Sequence, residues 1–237
     1  MPHENKSSSL PKGFDRLERV IAHLGLASRR EAKDLIIKGK VKVNGQVRRG
    51  PGFGVIPGKD VITLEQKGVP KKESVLVYKK RGIETSKTGR LNKDLHDQFP
   101  QFRHLHPIGR LDKESEGLII MSNDGTLARA LTADKTVEKE YQVTVREAVS
   151  DSILRFMGQG IVLDGIKTKE AKTKKLTPHT FLIVLKEGRK HQIRRMCDVC
   201  RLTIEKLVRV RIGHLKLSRS SQEAPLVLTE VDIAKLK

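Results

Sequence analysis

A short stretch near the middle of the chain combines two glycines, a carboxylate and a buried-strand pattern. Gly109 and Gly117 bound a loop that contains Asp112, and an uninterrupted apolar run follows at residues 118–121. Glycine accepts backbone conformations that a Cβ excludes, and a bounded apolar run of this length is typical of a buried strand. The pattern predicts that a rigid sheet anchors the loop of Asp112, as is common for functional loops. The alternative is that Asp112 only caps a turn or pairs with Arg110 on the surface.

The chain carries a large excess of positive charge. Its 237 residues include 48 Lys and Arg against 28 Asp and Glu, which gives a formal net charge of +20. Such a field attracts polyanions, most commonly nucleic acid, although an acidic membrane surface attracts the same charge. Because the basic residues are spread among apolar periodic patterns, we favour folded RNA-binding surfaces over a basic tail. Aromatic residues make up 3% of the chain, which argues against a single-strand binder that stacks many bases.

Hydropathy and cysteine content indicate the cellular compartment that we expect for the protein. No apolar run approaches the roughly 18 to 20 residues needed to cross a bilayer, so we expect no membrane partner. The first residues lack the apolar core of a signal peptide, so we expect a cytoplasmic protein. Cys197 and Cys200 form a C-x-x-C pair without the second pair that a zinc site needs. We interpret them as small hydrophobic residues rather than as a metal or redox site.

The N-terminal part of the chain has the pattern of two short helices. Apolar residues recur at helical spacing over residues 17–24 and again over residues 32–36, and Gly25 is expected to end the first helix. Ser28 has the capping-box spacing to the acidic residue three positions later, which predicts the start of the second helix.

A hairpin and a basic surface follow these helices. Alternating residues on both sides of Asn44-Gly45 predict a β-hairpin. Basic side chains at and after the second helix have the positions to hold phosphates, or they form only a solvated helical face. The predicted RNA-binding residues here are Arg29, Arg30, Lys33, Lys38, Lys40 and Lys42.

These patterns predict two domains of the α+β class. We expect a flexible leader at 1–14, a small αβ RNA-binding domain of two helices plus a hairpin at 15–64, and a linker at 65–74. Residues 75–237 are expected to form a larger domain with flanking helices around a mixed, mainly antiparallel sheet. The long alternation over residues 206–217 is interpreted as one strand of that sheet.

Several motifs carry a resemblance to a known family. Gly109-Arg110-Leu111-Asp112, followed by Ser115-Glu116-Gly117, resembles the first motif of the pseudouridine synthases, in the RsuA-type branch that modifies ribosomal RNA. The strand pattern at 139–145, Lys-x-Tyr-x-Val-Thr-Val, resembles the second motif, and the arginine-rich segment at 187–196 resembles the third. Residues 24–32, leading to Val-Asn-Gly, resemble the RNA-binding domain named after ribosomal protein S4.

The resemblance implies roles for particular residues. Asp112 would be the catalytic residue, acting as nucleophile or as base toward the sugar, and the sequence leaves both routes open. Arg194 would pair with Asp112, and Tyr141 would stack on the target base. Arg110 would fill the gap left when the nucleotide flips out. Arg189 and Arg195 are interpreted as further RNA-binding residues of the third motif. No metal or organic cofactor is implied.

The resemblance also implies a substrate, a specific uridine in structured ribosomal RNA. The segments at 172–175 and 194–197 favour large-subunit RNA slightly. We expect a monomer, because no apolar stripe indicates a partner chain. The alternative is a non-catalytic RNA-binding or ribosome-assembly protein. A tRNA synthetase is disfavoured because no nucleotide-binding motif is present.

Overall fold

The computed structural model describes residues 11, 13–24, 26–27, 29–50, 52–65, 71–86, 92–133 and 137–236. Contacts within the chain divide it into two compact units, residues 1–72 with 123–126 and residues 73–122 with 127–237. The predicted helix end at Gly25 and the predicted cap at Ser28 lie outside the described residues, as does most of the predicted leader. The domain boundaries given above stay predictions.

The first unit contains two short helices and two small antiparallel sheets. Its elements are β1 (Asp15–Arg16), α1 (Leu17–His23), α2 (Arg29–Ile37), β2 (Val41–Val43), β3 (Gln46–Val47), β4 (Gly54–Val55) and β5 (Ile62–Leu64). β2 lies between β3 and β5 in one sheet, and β1 pairs with β4 in the other. Leu17, Ile21 and Ile36 from the helices pack with Val41 and Val55 from the strands in one buried core. The apolar spacing of the two helices is therefore explained by a shared interior.

The predicted hairpin at Asn44-Gly45 is confirmed. β2 and β3 pair antiparallel with Val43 opposite Gln46. Asn44 and Gly45 between them both have positive φ, +51° and +79°. Two consecutive left-handed residues are what a two-residue hairpin turn requires, and asparagine followed by glycine meets that requirement at the lowest steric cost.

The second unit contains a large sheet flanked by helices. Its first half comprises β6 (Ser74–Lys79), α3 (Leu95–Gln98), a 3₁₀ turn (Pro100–Phe102), β7 (His106–Ile108), β8 (Glu116–Ser122), α4 (Gly125–Ala133), β9 (Lys139–Val145) and α5 (Asp151–Gly158). The second half comprises β10 (Val162–Leu163), β11 (Ile166–Lys167), β12 (Lys172–Thr177), β13 (Thr180–Leu185), α6 (Gln192–Val199), β14 (Ile204–Ile212), β15 (Leu215–Lys216), α7 (Arg219–Glu223), β16 (Leu226–Val227) and α8 (Glu230–Ala234). No helix among the described residues is long and apolar enough to cross a membrane.

Nine strands of this unit form one mixed sheet. The main order is β12-β13-β9-β14-β8-β6-β16, with β15 added to β14 and β7 added to β8. β14 and β8 run parallel, and the other pairs of this sheet are antiparallel. The predicted α+β class, with a mixed and mainly antiparallel sheet, is thus confirmed.

The apolar run at residues 118–121 belongs to β8, which is covered on both faces. Leu118 and Ile120 pack with Leu127 and Leu131 of α4 on one face. The alternate residues Ile119 and Met121 pack with Leu95 and Leu105 on the other face. A strand buried on both sides has no polar face, which explains the uninterrupted run. β8 is therefore a rigid base for the loop that precedes it.

The prediction of one long strand over residues 206–217 is wrong. β14 ends at Ile212, and the chain turns back so that β15 pairs with it, with Leu215 opposite Ile212. Gly213 in the turn has a φ of +55°. Ile212 and Leu215 share a face although they are three positions apart, so the alternation shifts by one residue at the turn, and this shift was the signal of the reversal.

A second core lies between the sheet and helices α5 and α6. Val143 and Phe181 of the sheet pack with Leu154 of α5 and with Met196 and Cys197 of α6. Burial raises the pKa of the Cys197 thiol to about 12. A thiol that resists deprotonation in an apolar interior is a packing residue, in accord with the interpretation made from sequence.

Candidate active site

The loop of Asp112 joins β7 to β8 and is held by backbone contacts on both sides of the aspartate. The buried hydroxyl of Thr85 accepts a hydrogen bond from the Leu111 amide at 3.0 Å and donates one to the Leu111 carbonyl at 2.7 Å. On the other side, the Asp112 carbonyl accepts from the Ser115 amide at 3.0 Å. Gly109 begins the loop with a φ of +75°. The backbone that presents Asp112 is therefore fixed.

Gly117 ends the loop where β8 meets β14. Its φ is +117°, and a Cβ placed there would lie within 3.0 Å of the Arg209 backbone. Side chains other than hydrogen cannot be accommodated because both the backbone conformation and the neighbouring strand exclude them. The sequence pattern predicted that Gly117 bounds the loop, and the pairing of β8 with β14 requires a glycine at this position.

A buried lysine lies beneath the same loop. The Lys79 side chain is fully buried at the end of β6, and its Nζ donates to the carbonyl of Ile83 at 2.6 Å and to that of Lys80 at 3.1 Å. A third carbonyl, that of Lys113 next to Asp112, lies at 3.4 Å. Burial lowers the pKa of Lys79 to about 8. Three carbonyl acceptors favour the charged amine and tie the Asp112 loop to the end of β6.

Two side-chain nitrogen atoms lie close to the Asp112 carboxylate, one on each oxygen. Nε2 of His191 lies 3.3 Å from Oδ1, and Nε of Arg194 lies 3.8 Å from Oδ2. Nη2 of Arg194 also donates to Oγ of Ser115 at 3.1 Å, which ties the guanidinium to the loop. The Asp112 side chain keeps 35% of its exposure, so a substrate can still reach it. The structure thus brings Arg194 and Asp112 together.

His191 is a site residue that the sequence analysis missed. It immediately precedes α6 and has φ +53° and ψ +31°, a left-handed conformation that is uncommon for residues other than glycine. The Gln192 side chain supports this entrance by accepting from the Arg189 amide at 3.0 Å and donating to Glu187 at 2.9 Å. The position of His191 in the third motif, three residues before Arg194, was the available indication.

These groups open onto a cavity of about 730 Å³ in the second unit. Tyr141 on β9 lies directly opposite Arg209 on β14, and both residues line the cavity. Arg110, which is exposed, lines it as well. The cavity therefore gathers five predicted site residues, Arg110, Asp112, Tyr141, Arg189 and Arg194, together with His191 and Arg209. Among the described residues, no three His, Cys, Asp or Glu side chains converge in a way that could hold a metal ion.

Two predicted RNA-binding arginines contact the protein itself. Arg189 donates from Nη1 to the Ile166 carbonyl at 2.9 Å and from Nη2 to the Lys167 carbonyl at 2.7 Å. Nη2 of Arg195 lies 2.5 Å from Oδ1 of Asp164. Both arginines thus hold the β10–β11 hairpin, although Arg189 also lines the cavity.

The predicted RNA-binding residues of the first unit lie on and after α2. The exposed members are Arg29, Lys33, Lys38 and Lys40. Lys42 pairs with Glu65 at 2.6 Å, and this contact lowers the pKa of the Glu65 carboxyl. The side chain of Arg30 lies outside the described part of the chain.

Comparison with known proteins identifies the class of protein to which this fold and cavity belong. A family model described as RNA pseudouridylate synthase matches residues 73–198, and a model of the S4 domain matches residues 15–61. A crystal structure of a pseudouridylate synthase has a TM-score of 0.70 and 28% sequence identity, and the match covers 94% of this chain and 99% of that one.

Curated relatives agree with these matches. The dual-specificity RNA pseudouridine synthase RluF of Escherichia coli O6:H1 is 38% identical over 88% of this chain and 73% of its own length. Ribosomal large subunit pseudouridine synthase B of Bacillus subtilis is 36% identical over 94% of this chain and 96% of its own length. The chain belongs to the RNA pseudouridine synthase family, and it is an isomerase that converts uridine to pseudouridine in RNA.

Proposed function

We propose that this enzyme modifies a uridine of large-subunit ribosomal RNA, as a cytoplasmic monomer, with Asp112 as the catalytic residue. The net charge of +20 supports a polyanionic substrate, and the name of the Bacillus subtilis relative supports the large subunit. The substrate is free RNA or a pre-ribosomal particle. The observation that carries the catalytic part is the placement of the Asp112 carboxylate between His191 and Arg194 at the cavity.

The reaction requires an ionised carboxylate at the sugar. Asp112 acts either as nucleophile at C1′ or as base toward the ribose, and both routes begin from the anion. Burial by a bound nucleotide disfavours that anion, whereas the guanidinium of Arg194 and the Nε2 of His191 favour and orient it. Arg194, held through Ser115, is a positioning residue in this proposal.

The target nucleotide must leave the RNA stack to reach the cavity. Tyr141 lines the cavity from β9 and supplies an aromatic face on which the flipped uracil stacks. Arg110, exposed at the edge of the loop, fills the space that the nucleotide vacates. Flipping costs a few kcal/mol, and contacts to the flanking RNA offset that cost.

Basic residues outside the cavity supply those contacts in this proposal. In the described part of the chain, Arg29, Lys33 and Lys38 form no ion pair with a carboxylate and are available for phosphates, whereas Lys42 pairs with Glu65 and Lys40 lies near the same carboxylate. The side chains of Arg189 and Arg195 keep exposures of 27% and 30% beside the β10–β11 hairpin. The RNA-binding set we propose is Arg29, Arg30, Lys33, Lys38, Lys40, Lys42, Arg110, Arg189 and Arg195.

Tritium release tests the proposal. Ribosomal RNA from cells that lack the protein, labelled at uracil C5, is incubated with wild type, Asp112→Asn and the matched control Asp151→Asn. Asp151 is an exposed carboxylate in the first turn of α5 and lies outside the cavity. We expect release by wild type and by the control, no release by Asp112→Asn, and equal RNA binding by all three.

Two results would contradict the proposal. Activity retained by Asp112→Asn would remove the aspartate from catalysis. Tight binding without release from any ribosomal RNA precursor would leave the proposed ribosomal substrate unsupported, and would favour the alternative that the protein acts on this RNA only as a binding or assembly factor.

A further inference from the structure

Arg209 is a buried cation whose hydrogen-bonding capacity is only partly used. Its side chain is 5% exposed, and its Nε donates to the Leu118 carbonyl at 2.6 Å. Its Nη2 has no hydrogen-bond partner, and its guanidinium has no ion pair with a carboxylate, within the described part of the chain. A buried guanidinium without a counter-charge is costly, so its retention requires a reason.

Strand pairing places Arg209 beside the proposed reacting base. It lies opposite Gly117 on one side and opposite Tyr141 on the other. Residues paired directly across strands project to the same face of a sheet, so the Arg209 and Tyr141 side chains share a face. Both residues line the cavity, and the absence of a Cβ at Gly117 leaves room for the Arg209 backbone.

The charge balance around the cavity is positive. Lys79 lies opposite Gly117 in the same cross-strand row. Burial is the largest effect on the pKa of Lys79 and lowers it; neighbouring carboxylates raise this pKa, and the nearby Arg209 charge lowers it. Arg194 adds a third cation, and two carboxylates, Asp112 and Glu187, line the cavity against six Lys and Arg residues. Such a site is prepared for negative charge that arrives with, or develops on, the substrate.

The isomerisation generates negative charge on the base. Whether Asp112 attacks C1′ or removes a ribose proton, the C1′–N1 bond breaks and both of its electrons stay on the uracil. The charge is shared between N1 and the two carbonyl oxygens. The uracil then turns and C5 bonds to C1′, while the Asp112–C1′ ester bond breaks on the first route or the ribose carbon regains its proton from Asp112 on the second. N1 takes up a proton and the C5 proton is lost, which restores the ring. The transient uracil anion is therefore common to both routes.

We propose that Arg209 is a further catalytic residue, whose guanidinium donates a hydrogen bond to a carbonyl oxygen of the target uracil and stabilises this anion. The inference rests on the placement of the reacting base proposed above. Preorganised donors aimed at developing charge in a dry site contribute strongly, because they need no reorganisation during the reaction. Loss of one such donor typically slows an enzyme by about 100- to 1000-fold.

The test compares two leaving groups under single-turnover conditions with enzyme in excess. Wild type, Arg209→Met and Arg209→Lys act on the RNA identified by tritium release and on the same RNA with 5-fluorouridine at the target. Fluorine makes the uracil anion more stable, and it leaves no C5 proton to lose, so base transfer can be followed alone. Formation of the C–C bonded nucleoside is followed by mass spectrometry.

We expect Arg209→Met to slow base transfer about 100-fold or more with uridine, and at least tenfold less severely with 5-fluorouridine. Arg209→Lys should recover part of the rate. RNA affinity should stay within about twofold, because the donor acts mainly on the transition state. Arg211→Met is the matched control, since Arg211 lies on the same strand, pairs with Glu138 and Glu140 and does not line the cavity. It should lower the melting temperature and change both substrate rates by the same factor.

Equal slowing of both substrates by Arg209→Met and Arg209→Lys would overturn the proposal and assign Arg209 a structural role. So would an unchanged rate in either folded variant. If Arg209→Met does not fold, the ratio of the two substrate rates in Arg209→Lys decides alone. The proposed active site is tested separately. Activity retained by Asp112→Asn would contradict it, whatever the Arg209 variants show.

Discussion

Gly117 on β8 pairs with Arg209 on β14, so close that a Cβ on the glycine would lie within 3.0 Å of the arginine backbone. β8 and β14 run parallel at this point, and the loop of Asp112 ends there. The pair therefore joins β8 to β14 at the end of the proposed catalytic loop. Substitutions at this contact and in the loop measure separately what each contributes to stability and to turnover.

Replacing Gly117 by alanine should destabilise the protein by about 2 to 4 kcal/mol, because it combines an unfavourable positive φ with a backbone clash. Urea unfolding measures the loss. Gly109→Ala is the matched control, since its φ is also positive but nothing lies within 4 Å of the position that a Cβ would take there. Gly109→Ala should lower the free energy of unfolding by about 1 kcal/mol. Equal losses in the two variants would show that strand contact is unimportant.

Replacing Thr85 by valine should lower both stability and turnover. Valine has the same shape but leaves the amide and the carbonyl of Leu111, one residue before Asp112, without their hydrogen bonds. Each unsatisfied buried group costs about 1 to 3 kcal/mol. Thr85→Ser retains the hydroxyl and should restore most of the turnover. A valine variant with wild-type kcat would indicate that Asp112 is positioned from elsewhere.

Substitutions at His191 separate its backbone role from its contact with Asp112. Asparagine tolerates the left-handed conformation, but its shorter side chain withdraws the donor that lies 3.3 Å from Oδ1. His191→Asn should keep a melting temperature near that of wild type and lose about tenfold in kcat, as expected for the loss of one polar contact to a charged group. His191→Val should lose stability as well, since β-branched residues are strained at positive φ. An asparagine variant with full kcat would argue against the contact.

The buried Lys79 should make stability depend on alkaline pH. Its folded pKa of about 8 lies below the ordinary value of 10.5, so the unfolded chain binds more protons between these values. The contribution of Lys79 to the free energy of unfolding is therefore full above 10.5 and is lost as pH falls through 8. Relative to Lys79→Met, wild type should become more stable as pH rises through this window.

Chemical unfolding of both proteins at several pH values measures that difference. Lys80→Met, which removes an exposed neighbouring lysine, is the matched control for the loss of one positive charge. A flat profile for Lys79→Met would contradict the lowered pKa.

Much of the fold was predictable because its determinants are local. The Asn44-Gly45 hairpin, the helix at Asp151–Gly158 and the doubly buried β8 all follow from residue type and spacing within each element. The prediction failed at residues 206–217, where the alternation shifts by one residue at a two-residue turn that reverses the chain. The pairing of Asp112 with Arg194 was expected from the resemblance of their motifs rather than from spacing.

The sequence by itself determined most of the elements, the fold class and the basic character, and the resemblance of its motifs indicated the residues that reach the cavity. Tertiary structure alone decided that Lys79 binds a carbonyl 34 residues away, that Arg209 reaches one 91 residues away, and that His191 faces Asp112. It also directed Arg189 and Arg195 to the β10–β11 hairpin. The physical reason is that periodicity reports which face of an element is buried, whereas the partner on that face is set by sheet order and register between distant segments.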